Sequence, residues 1–82
     1  MMSNEEIKTN LTEIFVDIFD DASIVLERKT TARDIEDWDS LAQISLLVAI
    51  EKEFNIKLSL EEVKALSNVG DMLDVIHEKV ND

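Results

Sequence analysis

Cysteine and proline are absent from the chain, and glycine occurs once, at Gly70. Without cysteine there is no disulfide and no thiolate supplied by the polypeptide itself. A zinc site is excluded by the same inventory, because His77 is the only histidine and such sites need several nitrogen or sulfur ligands. One glycine cannot build a glycine-rich phosphate loop. So little glycine and no proline make poor hairpins and good helices. Aromatic residues are also scarce (Phe15, Phe19, Phe54 and Trp38), so a mainly aliphatic core is expected. Basic residues number 8 against 19 acidic ones, a net charge of −11, and this field repels nucleic acid and anionic membranes. It favours basic protein partners met through long-range attraction. No apolar run approaches the ~20 residues of a bilayer span. The acidic start Met1–Glu6 has neither the basic nor the apolar region of a signal peptide, so a cytoplasmic protein is expected.

What the chain does contain is helical periodicity. At 82 residues it makes one domain, residues 1–82, too short to split into two cores. Ser3 and Glu6 have capping-box spacing, and Ile7, Leu11, Ile14, Phe15, Ile18 and Phe19 follow as one apolar stripe that ends near Asp20-Asp21. Residues 20–39 keep no period; Ile24, Val25 and Leu26 can tuck under this loop, and Thr31 with Asp34 can close a turn. A second helix is expected from Ser40 to about Phe54, with an apolar arc wide enough for the centre of a bundle. Ser59 and Glu62 form a second capping box, opening a short helix through Leu60, Val63 and Leu66. Asn68 caps a fourth helix, with Val69, Met72, Leu73, Ile76 and Val80 inward. The expectation is all-α: a small four-helix bundle with a short third helix and a long loop between helices 1 and 2.

Catalysis finds little to work with. His77 sits among Ile76, Glu78 and Lys79 with no nucleophile paired to it by any motif, and reads as a solvated surface residue. Asp34, Asp37 and Asp39 cluster, but neither their spacing nor the missing central glycine fits a calcium loop. No catalytic residue and no dedicated metal site are assigned.

Attention falls on Asp37-Trp38-Asp39-Ser40-Leu41, where the long acidic loop meets the second helix. Read locally, Ser40 is an N-cap, as Ser3, Ser59 and Asn68 are. Trp38 reads as a plug over the core. Read together, Asp39-Ser40-Leu41, then Leu46, Ala49, Glu51, Glu53 and Phe54, resemble the attachment motif and second helix of the acyl carrier proteins. Leu58, Glu61-Glu62, Leu66, Val69 and Ile76 follow that family's third and fourth helices in register. The resemblance implies a non-enzymatic carrier with 4′-phosphopantetheine bound to Ser40 through a phosphodiester, an anion that suits a helix start. It implies that Asp39 helps place magnesium and the incoming phosphate, against a local reading as loop solvation or a partner of the helix dipole. It implies that Leu41 touches partner enzymes, with burial against the first helix as the alternative. Ile44, Val48, Leu66, Val69, Met72 and Ile76 read as core, and the resemblance implies that a carried acyl chain can slip between those helices. The implied partners are a phosphopantetheinyl transferase and acyl-transferring or condensing synthases, docking near Leu41, Glu61 and Glu62; a monomer is the default.

Housekeeping fatty-acid members of that family carry acids early in the second helix, where this chain has Ala42, Gln43 and Ser45. Its charge gathers instead before Ser40 and at Glu61 and Glu62. A specialised carrier for polyketide, modified-lipid or surface-polysaccharide assembly is therefore open beside the general one, and so is a peptidyl or aminoacyl carrier. A cofactor-free acidic helical adaptor, with Ser40 a plain cap, is the reading from a different class.

Overall fold

The computed structural model describes residues 1–82 and contains four helices: α1 (Asn4–Phe19), α2 (Ser40–Phe54), α3 (Leu60–Lys64) and α4 (Val69–Val80). No strand is present, and no helix is long and apolar enough to cross a membrane. The helices start where local chemistry directs. Ser3 Oγ accepts the amide of Glu6 while the Glu6 carboxylate accepts the amide of Ser3, and Ser59 and Glu62 repeat the arrangement. The Asn68 side chain accepts the amide of Asp71 at 2.8 Å. Two helices stop in left-handed residues, Asp20 (φ 50°) and Asn55 (φ 55°), a conformation that Asp and Asn tolerate better than most residues.

One apolar cluster holds the bundle together. Ile7, Leu11, Ile14 and Phe15 of α1 meet Leu46, Ile50 and Phe54 of α2 and Val69, Met72 and Ile76 of α4, with Leu26 and Ile56 added by the connections. Full burial of a side chain of this size is worth about 1.5–3 kcal/mol, so these contacts dominate the stabilisation. By contrast α3 buries no residue. Leu58 and Leu66, on either side of it in the chain, pack against the core, and a 2.9 Å ion pair between Lys79 and Glu62 ties it to α4.

The apolar arc of α2 is only partly used. Ile44 and Val48, which periodicity assigns to the core, are each 59% exposed. They lie on a different face from Leu46 and Ile50, and no element covers them, since α3 is a single short turn and a half. Likewise Leu26 is buried while its neighbour Val25 points outward. Leu66 falls beyond the end of α3, partly buried in the connection to α4.

The long connection is tied down by α4. The first amides of a helix have no partner inside it, and here Val69 and Gly70 donate theirs to the carbonyls of Thr30 and Arg28, both at 2.8 Å. The Arg28 guanidinium also grips both oxygens of Asp74, at 3.1 and 2.8 Å. Thr30 is buried and accepts the amide of Glu27 through its hydroxyl. At the opposite ends of the chain, Asn81 clasps Met2 by two bonds, accepting its amide at 2.9 Å and donating to its carbonyl at 3.1 Å.

Close approach explains the lone glycine: a Cβ at Gly70 would stand 3.0 Å from the Arg28 carbonyl oxygen, a backbone atom that is itself hydrogen-bonded to Gly70. Gly70→Ala in a helix would ordinarily stabilise by about 1 kcal/mol, whereas forced overpacking costs about 1–3 kcal/mol. Steric cost is expected to win. Thermal unfolding of Gly70→Ala should therefore show a lower Tm than the parent; a higher one would mean that the loop yields without loss.

The two ion pairs carry a pH signature. Hydrogen bonds from Arg28 hold Asp74 below the ordinary carboxylate range, and the Ser59 amide, then Lys79, do the same for Glu62. A carboxyl depressed in the folded state stabilises above its unfolded pKa, and that stabilisation is lost as pH falls through the folded pKa. Both pairs are solvent-accessible, so the effect is modest and screened by salt. Asp74→Asn and Glu62→Gln should each lower Tm at neutral pH, with the deficit shrinking from about pH 5 toward about pH 3. A deficit that stays constant over that range would rule out a charge-based contribution.

Candidate functional site

The loop reaches α2 through two tight turns. In the first, Asp34 returns its carboxylate to the Thr31 amide at 2.9 Å and its own amide to the Thr31 carbonyl, as the spacing of the two residues suggests. In the second, Asp37 adopts a left-handed φ of 69° and the Asp39 amide donates to the Asp37 carbonyl at 2.9 Å, enclosing Trp38 in a three-residue turn. The Trp38 ring meets Phe15 edge-on at 5.1 Å and lies 6.3 Å from Phe19. Its indole N–H donates to the Gln43 side-chain oxygen at 2.6 Å. Trp38 is thus a plug, as expected, and also a brace from the core to the first turns of α2.

Asp39, not Ser40, caps α2. Its carboxylate accepts the Ala42 amide at 2.8 Å, and its backbone is extended while Ser40 is already helical. The local reading of Ser40 as a cap is corrected by one residue, and the correction matters: capping does not consume the Ser40 hydroxyl. Ser40 is exposed, as is Leu41 at 73%. Burial of Leu41 against α1 is therefore excluded. Leu41, Ile44 and Val48 instead form an exposed apolar stripe at positions i, i+3 and i+7 of α2.

Electrostatics divide sharply at the same point. Asp34, Glu36, Asp37 and Asp39 precede the helix, and from Ser40 to Ile50 no residue is charged. The next acid, Glu51, accepts the Leu58 amide at 2.8 Å and so pins the connection to α3. Of the acids on α3, Glu61 is exposed and free of the cap, whereas Glu62 is held by Ser59 and Lys79.

Beside Ser40 lies an open groove of about 530 Å³. Trp38, Asp39 and Ser40 form one side with Gln43 and Ile44, and Leu66 to Asn68 with Met72 form the other. Asp39 is the only charged residue in it. Leu66 and Met72 also bound an inner, wholly apolar pocket of only about 10 Å³, walled further by Leu47, Leu58 and Ile76. The two spaces are separated by the side chains they share. His77 lines neither. Sequence reasoning missed Gln43, Ser67 and Asn68 as site residues; Gln43 meets Trp38 across the helix start, five residues away, a spacing tied to no motif.

Known proteins match this arrangement. Residues 9–76 fit the family model described as a phosphopantetheine attachment site. An acyl carrier protein of Acidothermus cellulolyticus is 35% identical over 75 residues, covering 92% of this chain and 89% of its own. One from Myxococcus xanthus is 37% identical over 78 residues, covering 93% of this chain and 96% of its own. The solution structure of the holo acyl carrier protein of Geobacter metallireducens superposes with a TM-score of 0.87 at 45% identity, over 92% of this chain and 86% of that one. Taken with the helical bundle and the exposed serine, these matches establish that the chain belongs to the acyl carrier protein family, whose members carry covalently attached phosphopantetheine and are not themselves enzymes.

Proposed function

We propose that Ser40 is the phosphopantetheine attachment residue and that the protein carries acyl intermediates for fatty-acid or related lipid assembly in the cytoplasm, as a monomer. The observation that carries this reading is the division of labour at the start of α2: Asp39 caps the helix, and the Ser40 hydroxyl remains at its exposed first position. A primary hydroxyl there can be reached by a transferase, and the amide dipoles of a 15-residue helix favour the added phosphodiester anion. When bound, the arm supplies the thiol that this cysteine-free chain lacks, and partner enzymes perform the chemistry on its thioester. Asp39 fixes the helix start on which Ser40 stands, and its carboxylate next to the hydroxyl suits it to hold the magnesium that accompanies the incoming phosphate.

The docking face follows from exposure and charge. Leu41, Ile44 and Val48 offer apolar contact, and Glu61 offers an unengaged acid on the neighbouring helix. A basic partner reaching Glu62 has to compete with Lys79. This suits synthases and transferases whose contact surface is apolar at the centre and basic around it. The names of the similar proteins favour acyl over aminoacyl cargo.

Incubating the apo protein with coenzyme A, magnesium and a broad-specificity phosphopantetheinyl transferase should add the mass of one arm, and Ser40→Ala should add none. Addition at another serine, or none to a folded protein with several transferases, would overturn the assignment. For the docking face, Leu41→Ser and Ile44→Ser replace exposed residues and should leave stability within about 0.5 kcal/mol. Each should raise the transferase KM by roughly fivefold or more, the size of an interface contact worth 1 kcal/mol. An unchanged KM in both variants would move docking away from α2.

A further inference from the structure

Resting on the Ser40 reading, we propose that the groove beside Ser40 is a resting site for the arm, with the Trp38 indole as one wall and the side-chain amides of Gln43 and Asn68 as its hydrogen-bond donors.

Three features make the groove a built surface. Trp38 is immobilised by the edge contact to Phe15, by its hydrogen bond to Gln43 and by the three-residue turn that presents it. An indole fixed this way offers apolar area with no further loss of rotamer freedom. The Gln43 oxygen is used by Trp38 and the Asn68 oxygen by the Asp71 amide, so each amide group keeps an N–H₂ with no protein partner. Both residues line the groove, as does Ser67.

The chemistry of phosphopantetheine matches these walls. Beyond the phosphate it carries a gem-dimethyl carbon, a hydroxyl, two amides and a thiol. Methyl groups suit an aromatic ring, and amide carbonyls suit side-chain N–H₂ donors. Charge favours the same direction. Asp39 already occupies the helix start, so the phosphodiester adds a second anion there, and the rest of the groove is neutral. The inner pocket, at about 10 Å³, offers no room for an arm without moving Leu66 or Met72. Tethering then decides occupancy: a group linked by a short flexible chain experiences an effective concentration near the millimolar range, so even a millimolar site is filled about half the time.

Trp38 is the only tryptophan in the chain, which makes it a private reporter. The experiment compares apo and holo protein, each verified by intact mass, by acrylamide quenching of Trp38 fluorescence and by NOEs between the arm's methyl groups and the indole protons. Occupancy of half or more should lower the quenching constant by roughly a third to a half in the holo form and produce the NOEs. Asn68→Asp keeps the capping oxygen, removes the donor and adds a like charge; its holo form should lose much of that protection. Fully modified protein with no such NOEs and quenching equal to the apo form overturns the resting site while leaving Ser40 assigned. A folded protein that takes up no arm overturns the Ser40 reading itself, and the resting site with it.

Discussion

Phe15 links the interior of this protein to the start of α2. It is wholly buried at the meeting of α1 with the other long helices, and the edge of Trp38 rests on it. Trp38 in turn grips Gln43 on α2, and Asp39 beside it caps the same helix. The exposed Ser40 is thereby carried on a chain of contacts that begins in the core, although its own side chain contributes nothing to packing. An aromatic edge contact is worth roughly 0.5–1.5 kcal/mol beyond its buried area. That is small against the whole fold but large for a loop of twenty residues with no regular structure.

Charge and apolar surface have been sorted into separate places. Acids crowd the loop ahead of α2, while the exposed face of α2 is neutral and greasy through Leu41, Ile44 and Val48. A net charge of −11 makes copies of the protein repel one another, which opposes the aggregation risk of such a stripe. For a basic partner, such a separation would put long-range attraction at the loop and Glu61 and short-range burial at the stripe.

How much of this could be read from residues alone depended on the range of each interaction. The two serine–glutamate capping boxes and the Asn68 cap were legible because donor and acceptor lie three residues apart and need no tertiary context. The buried stripes of α1 and α4 were legible because helical period and core coincide there. On α2 they part company. Ile44 and Val48 keep the period but find no covering element, and only the brevity of α3 explains it. The one-residue shift from Ser40 to Asp39 as cap was not decidable locally, since both residue types cap well. Nor could spacing reveal that Arg28 would meet Asp74 or that Gly70 would press against the Arg28 carbonyl. Those contacts join segments some forty residues apart, and nothing in the local pattern of either segment encodes the other.

The Met2–Asn81 clasp has a topological consequence. Its two hydrogen bonds bring residues 2 and 81 together, so the backbone between them is already almost a closed ring. A few-residue bridge would complete that ring at little loop-closure entropy. New ends could then be opened in the 55–59 connection, giving a permuted carrier with the same core. The adjacent ends would equally let the whole unit be spliced into a surface loop of a larger protein, hanging from a single narrow stalk.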